Sequence, residues 1–140
     1  MGETTNYEYD AEFYAFLATS SARSAAAVVP VILNQVNATS VLDVGCGAGA
    51  WLAEYLRQGV SDVVGVDGEY VNRKALHIPA DRFIAIDVSR PFRLNRKFAL
   101  VQCLEVAEHV PQSKSGLLIE NHCRSWKCCS LLCCGAWAGR

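Results

Sequence analysis

The chain has 140 residues and a mass of 15.3 kDa, which is enough for one domain with a hydrophobic core. Hydrophobic residues make up 51% of it and charged residues 19%, a balance that excludes an intrinsically disordered protein. The formal net charge of −1 argues against a nucleic-acid partner, and the longest apolar run, residues 25–33, is too short to cross a membrane. Because the N terminus also lacks the apolar core of a signal peptide, we expect a cytoplasmic location.

The N-terminal part of the chain is expected to be helical. Residues 9–36 place apolar side chains at helical spacing. Ser20 and Ser21 interrupt that pattern and predict a break, so that a second helix would occupy residues 22–36. Pro30 lies inside this second helix and would kink it.

Four short apolar segments follow, and each of them ends in an acidic residue or a glycine-rich loop. They predict β-strands at residues 41–44, 62–66, 82–86 and 98–104. An amphipathic helix between the first two strands begins near Trp51 and stops near Gly59, and another is predicted at residues 112–124. Only residues 88–97 separate the third and fourth strands, which predicts an irregular crossover there. Buried apolar strands joined by crossovers indicate a parallel sheet.

The predicted strand ends carry the residues that are best suited to bind a ligand. They are Asp43, a glycine turn at residues 45–49, Asp67, Asp87 and Glu105. In open parallel sheets, ligands bind at the carboxyl ends of the strands. The Asp67 carboxylate is suited to accept hydrogen bonds from a ribose diol, and Asp87 could accept one from an amino group such as that of adenine. Asp and Gly are also common caps and turn residues, which is the alternative at each single position.

The glycine turn reads G-x-G-x-G, whereas dinucleotide sites typically read G-x-G-x-x-G. Asp43 lies just before this turn, where its negative charge would repel a pyrophosphate and suit a cation. The sulfonium and ammonium groups of S-adenosylmethionine fit that preference. The residues therefore favour S-adenosylmethionine, and a nucleotide-binding domain of the NAD type is the alternative.

The motifs themselves resemble those of a known family. Residues 41–51, VLDVGCGAGAW, resemble the first motif of class I S-adenosylmethionine-dependent methyltransferases. Residues 64–68, 83–87 and 98–109 are similar to the second, third and fourth motifs, although Ala99 replaces the usual Asp of the fourth. The resemblance covers about residues 7–122 and is closest to bacterial methyltransferases that act on small molecules.

The resemblance implies a Rossmann-like α/β fold with a mostly parallel sheet and flanking helices. It also implies transfer of a methyl group from S-adenosylmethionine to a small-molecule acceptor, by in-line displacement at the sulfonium methyl. The glycines would lie along the methionine part of the donor with Asp43 beneath them, Asp67 would hold the ribose hydroxyls and Asp87 the adenine amino group. The three glycines concerned are Gly45, Gly47 and Gly49.

Three residues after the fourth strand are candidates for chemistry. Glu105, Glu108 and His109 would lie on one side of a helical turn. His109 could act as general base, because the ordinary pKa of histidine lies near neutrality. The resemblance also implies that the trio could bind a divalent metal, as in some relatives. The alternative is that the trio forms only a helix cap and a pocket wall.

The resemblance divides the chain into three parts. Residues 1–40 would form a helical lid, residues 41–126 the S-adenosylmethionine-binding core, and residues 127–140 an aberrant cysteine-rich tail. With suitable codons, reading the tail one base later gives the loop that the relatives carry at this point, so we expect a frameshift there. The sheet would then be incomplete, with four or five of the usual seven strands. A truncated non-catalytic fragment, or a pseudoenzyme that at most binds the donor, is therefore another alternative.

Overall fold

The computed structural model describes residues 11–104, 106 and 112–125, and it begins with one long helix. Helix α1 spans Ala11–Gln35 without interruption, so the predicted break at Ser20 and Ser21 is wrong. Serine costs roughly half a kcal/mol in a helix, and the neighbouring alanines are the strongest helix formers. Ala25 and Val29 of α1 are fully buried in the core. This packing stabilises the helix beyond the serine pair.

Within the described residues, the sheet has four parallel strands in the order β3-β2-β1-β4. The strands are β1 (Val41–Val44), β2 (Val63–Asp67), β3 (Phe83–Ala85) and β4 (Leu100–Gln102). All four strands were predicted, and their parallel arrangement confirms the expected fold class. The strand order reverses between β1 and β4, which places the switch point beside the glycine turn.

Strand β4 is shorter than its apolar run predicts. The backbone nitrogens of Phe98 and Ala99 do not join the sheet. Phe98 donates instead to the carbonyl of Ser125 at 2.9 Å, and Ala99 donates to the hydroxyl of Ser40 at 2.8 Å. These contacts fix the approach to β4, and regular pairing with β1 begins at Leu100.

Helices cover the sheet on both faces. The remaining α-helices of the described chain are α2 (Ala50–Arg57) and α3 (Ser115–Ser125). Successive residues of β1 point to opposite faces. Val41 belongs to the same hydrophobic cluster as Tyr55 of α2, whereas Leu42 belongs to the cluster that contains Leu118 of α3. The described helices include none that is both long and apolar enough to cross a membrane.

The crossovers are irregular on one side of the sheet. Two short 3-10 helices, Arg73–Ala75 and Ala80–Arg82, connect β2 to β3. The connection from β3 to β4 has no helix, as predicted from its length. The fully buried side chain of Asn121 holds this connection to α3. Its Oδ1 accepts from the Phe92 nitrogen at 3.3 Å, and its Nδ2 donates to the Arg90 carbonyl at 2.9 Å.

Candidate functional site

The glycine turn between β1 and α2 has a backbone that other residues rarely adopt. Gly45, Gly47 and Gly49 have φ angles of 77°, 52° and 85°. The Gly45 nitrogen donates to the Val66 carbonyl at 2.8 Å, which continues the sheet contact into the turn. A Cβ atom at Gly45 would lie 2.2 Å from Cγ2 of Val106. Position 45 therefore needs glycine both for its dihedral angles and for the space that Val106 takes.

A second close approach brings the turn down onto the neighbouring strand. A Cβ atom at Gly65 in β2 would lie 2.5 Å from the Cys46 sulfur. The sequence analysis assigned no role to Gly65, although a glycine inside an apolar strand is a signal of close packing. Cys46 is buried, and burial, followed by the charges of Asp43 and Asp67, raises the pKa of its thiol. The thiol stays neutral and packs as a small apolar group.

Asp67 at the end of β2 is bound to the glycine turn. Its Oδ2 accepts from the Gly47 backbone nitrogen at 2.7 Å. Its Oδ1 accepts from the Gly68 nitrogen at 2.7 Å and from the hydroxyl of Tyr70. A carboxylate offers about four lone-pair positions, so one position on Oδ2 remains for a further donor. The sequence analysis did not foresee Tyr70, because only the folded loop brings its hydroxyl to Asp67.

A cleft of about 640 Å³ opens at the carboxyl ends of β1, β2 and β3. Its lining residues are Gly45, Asp67, Gly68, Glu69, Tyr70, Ala85, Ile86, Asp87, Val88, Ser89 and Val106. Three of the residues selected from the sequence, namely Gly45, Asp67 and Asp87, thus line one cavity. Its volume lies within the range of small-molecule sites.

Asp87 also lines this cleft and is more exposed than Asp67. Its Oδ1 accepts from the backbone nitrogen of Ser89 at 3.0 Å and from the hydroxyl of Ser89 at 2.6 Å. Its Oδ2 forms an ion pair with Nε of Arg90 at 3.0 Å. The hydrogen bonds from Ser89 hold the pKa of Asp87 below its usual range, so the carboxylate is charged near neutral pH. Asp87 therefore shapes its own turn and presents a negative charge to the cleft.

Asp43 lies behind the turn and not in the cleft. It is only 2% exposed, and burial raises the pKa of its carboxyl to about 7. The side-chain amide of Gln102 acts in the opposite direction and lowers this pKa. The Tyr55 hydroxyl donates to Gln102 Oε1 at 3.0 Å. Gln102 and Tyr55 escaped the sequence analysis, although a glutamine inside an apolar strand is a visible signal.

The other glycines of the turn support it in different ways. Gly47 donates its backbone nitrogen to Asp67, and a Cβ atom there would meet no atom of the described residues within 4 Å. Gly49 precedes the first residue of α2, and a Cβ atom there would lie 3.0 Å from Ile78. Space for a ligand is therefore open beside Gly47 and closed beside Gly49.

Some sequence-based predictions fall outside the described residues. Glu105, Glu108 and His109 are among them, and so is the cysteine-rich tail at residues 127–140. The proposed general base, the proposed metal ligands and the frameshift therefore stay predictions. Within residues 11–104, 106 and 112–125, no group of three or more His, Cys, Asp or Glu side chains is arranged to hold a metal ion.

Comparison with known families decides the classification. A family model described as a methyltransferase domain matches residues 3–120 of the chain. The chain belongs to this methyltransferase-domain family. The family predicted from the four motifs is thereby confirmed. A search of curated proteins finds no significant match to this methyltransferase domain.

Solved methyltransferase structures share the fold. DesVI from Streptomyces venezuelae is 25% identical, with a TM-score of 0.66 over 86% of this chain and 55% of that one. CalS10, an amino pentose methyltransferase from Micromonospora echinaspora with SAM bound, is 23% identical, with a TM-score of 0.66 over 89% of this chain and 55% of that one. The magnesium protoporphyrin IX methyltransferase ChlM from Synechocystis, also with SAM bound, is 22% identical, with a TM-score of 0.59 over 76% of this chain and 54% of that one. The chain thus spans about half the length of these structures.

Proposed function

We propose that this methyltransferase domain binds S-adenosylmethionine in the cleft at the strand ends and serves methyl transfer to a small-molecule acceptor. The observation that carries the proposal is the position of Asp67, which faces the cleft and holds the glycine turn in place. Membership of the methyltransferase-domain family supports the donor. The similarity to CalS10, an amino pentose methyltransferase, supports a small-molecule acceptor.

The chemistry of the cleft fits an adenosine-containing cation. Asp67 offers a free acceptor position on Oδ2 to a ribose hydroxyl, and its Oδ1 becomes available when the hydroxyl of the exposed Tyr70 moves away. Asp87 offers a second, charged carboxylate to the same cleft, to which an adenine amino group could donate. The carboxylates of Asp67 and Asp87 line the cleft and would repel the negative charges of a pyrophosphate.

S-adenosylmethionine supplies a methyl group on a positively charged sulfur, which an acceptor nucleophile can take by in-line displacement. The chain itself has to bind the donor and the acceptor, orient them, and exclude water. Gly45 and Gly47 leave the backbone of the turn accessible, and Asp67 fixes that backbone from the side. We propose His109 as the base for acceptors that must lose a proton, with Glu105, Glu108 and His109 as metal ligands in the alternative.

Calorimetric titration with S-adenosylhomocysteine tests the proposal without requiring an acceptor. We expect saturable binding by the full chain and no binding of NAD. Asp67→Asn should weaken the affinity by about tenfold, because it replaces one of the two acceptor oxygens of the carboxylate by an NH2 donor. Asp81→Asn is the matched control, since Asp81 is 79% exposed and lies outside the cleft.

Three results would contradict the proposal in whole or in part. Binding of NAD without binding of S-adenosylhomocysteine would favour the dinucleotide alternative. Equal affinities of the Asp67 and Asp81 variants, with unchanged thermal stability, would remove Asp67 from the site. A chain that binds S-adenosylhomocysteine but methylates none of a panel of amino sugars and peptides would fit the non-catalytic alternative.

A further inference from the structure

Three polar side chains lie buried together behind the glycine turn. Asp43 and Gln102 are register partners on the adjacent strands β1 and β4, so their side chains leave the same face of the sheet. Tyr55 of α2 covers that face, and its hydroxyl donates to Gln102 Oε1 at 3.0 Å. Asp43 and Gln102 are each 2% exposed, and Tyr55 is 0% exposed. Burying polar groups costs free energy, so packing alone does not account for this trio.

The Tyr55 hydroxyl sets which end of the Gln102 amide faces Asp43. Because Oε1 accepts from Tyr55, the Nε2 donor is left for the carboxyl. Nε2 has no hydrogen-bond partner of good geometry among the described residues, but it lies near enough to Asp43 to lower the pKa of that group. A donor beside a carboxyl favours the charged form.

The other neighbours of Asp43 do not share this effect. The titratable groups around it are the carboxyl of Asp67 on β2, the thiol of Cys46 in the turn and the phenol of Tyr55 on α2. Burial raises the pKa of the thiol and of the phenol, so both are neutral near pH 7, and the charge of Asp67 opposes ionisation of Asp43. The buried residues of α1 in the same cluster are apolar. Among the described residues, Gln102 is thus the neighbour that favours the carboxylate.

We infer that Gln102 is a positioning residue for Asp43: its amide, oriented by Tyr55, presents the Nε2 donor to the carboxyl behind the glycine turn. Gln102 does not line the cleft, so any effect on a ligand there passes through Asp43. The consequence for binding rests on the proposed function, because the charge matters when the cationic end of a methyl donor lies against the turn.

The first arm of the test follows the Asp43 carboxyl carbon by NMR in the ligand-free full chain as the pH is raised. In the wild type we expect a titration midpoint of about 7. Gln102→Met keeps the length of the side chain and removes the donor, so the midpoint should rise by about one pH unit. Tyr55→Phe releases the amide and should raise the midpoint by a smaller amount. Gln58→Met changes an exposed glutamine of the same protein and should leave the midpoint unchanged.

An unchanged or lower midpoint in Gln102→Met would overturn the inference. If that variant does not fold, Tyr55→Phe decides by the same criterion, because it removes a hydroxyl and keeps the shape of the ring. A midpoint that rises equally in the Gln58 control would also overturn the inference.

The second arm measures the affinity for S-adenosylmethionine at two pH values. A rise of one unit in the pKa of Asp43 lowers its charged fraction by about tenfold at a pH below both midpoints. The affinity of Gln102→Met should therefore fall by up to about tenfold near pH 6 and return towards the wild-type value near pH 8.5. An equal loss at both pH values would contradict an effect through charge. If the wild type does not bind the donor, the proposed function fails, and the NMR arm still decides the role of Gln102.

Discussion

The Asp67 carboxylate lies 2.7 Å from the backbone nitrogen of Gly47 and so ties the end of β2 to the glycine turn that follows β1. The same side chain accepts from the Gly68 nitrogen and from the Tyr70 hydroxyl. The same carboxylate therefore stabilises the local structure and is the group that we propose to bind the ligand. Any substitution of Asp67 has to be judged with thermal stability and affinity measured together.

The contact between Tyr70 and Asp67 predicts an increase in donor affinity on substitution. The Tyr70 hydroxyl occupies Oδ1 of Asp67, where a ribose hydroxyl would otherwise donate. Tyr70→Phe removes this competitor, and the net value of one hydrogen bond is about 1 kcal/mol. We expect S-adenosylhomocysteine to bind up to about tenfold more tightly to the variant in a calorimetric titration. Weaker binding would show that the hydroxyl assists the ligand.

The close approach of Gly65 to Cys46 predicts a loss of stability in Gly65→Ala. The new methyl group would lie 2.5 Å from the Cys46 sulfur and 2.9 Å from Cδ1 of Leu52, so the glycine turn or α2 would have to shift. We expect the free energy of unfolding, measured with urea, to fall by about 2 kcal/mol. Gly116→Ala is the matched control. Gly116 lies in α3, and a Cβ atom there would meet no atom of the described residues within 4 Å.

The free energy of unfolding of the control variant should stay the same or rise. Alanine is favoured over glycine in a helix by up to about 1 kcal/mol, so Gly116→Ala should be neutral or stabilising. A Gly65→Ala variant as stable as the wild type would mean that the turn does not need to lie so close to β2.

Much of the fold could be predicted from the sequence, because the strands are apolar runs with acidic ends. Asp67 and Asp87 were expected at one edge of a parallel sheet, and both do line one cleft. The interruption at Ser20 and Ser21 was misjudged, because local propensity carries little weight against the burial of Ala25.

The pattern of apolar residues did not predict the contacts between segments that are distant in the sequence. The polar trio behind the turn depends on the pairing of β4 with β1, which sets Gln102 beside Asp43. The two are 59 positions apart in the sequence, and nothing local indicates their register. The Asp67–Gly47 bond likewise depends on how the turn folds back onto β2. Such contacts follow from strand order, which apolar periodicity does not encode.

Asn121 predicts how strongly the irregular crossover depends on α3. Its buried amide bonds to Arg90 and to Phe92, and these are backbone groups that no strand pairs. Asn121→Ala would leave both without this partner, so we expect the free energy of unfolding to fall by about 2 kcal/mol. Asn72→Ala is the control: its side chain caps an exposed 3-10 helix through one bond of 3.0 Å to Lys74, and the loss should stay below about 1 kcal/mol.

Equal effects at the two asparagines would contradict this assignment. In that case the crossover would be held to the sheet by its apolar residues and not by the amide.

Buried Asp43 predicts a stability that falls as the pH rises. The pKa of its carboxyl is raised from 3.8 to about 7 in the folded chain, so the folded state keeps this proton longer than the unfolded state does. The contribution of Asp43 to the free energy of unfolding is therefore fully present below about pH 4. It is lost as the pH rises towards about 7, at up to about 1.4 kcal/mol per pH unit. Urea denaturation across this range should show the loss in the wild type.

Asp43→Asn removes the titrating group and should weaken that pH dependence, so that the variant gains stability relative to the wild type as the pH rises. Asp81→Asn, at an exposed position, should keep the wild-type slope. A slope that persists unchanged in Asp43→Asn would assign the pH dependence to another group.

The most direct test of the account is to map S-adenosylhomocysteine onto the isotope-labelled full chain by NMR. The account predicts the largest amide shifts at Gly45, Gly47 and Gly68, at the carboxyl ends of the strands. The amides of Gly59 and Ser61, which line a separate groove near the amino end of β2, should not move. Shifts confined to Gly59 and Ser61, or no shifts at a saturating concentration of the ligand, would contradict it.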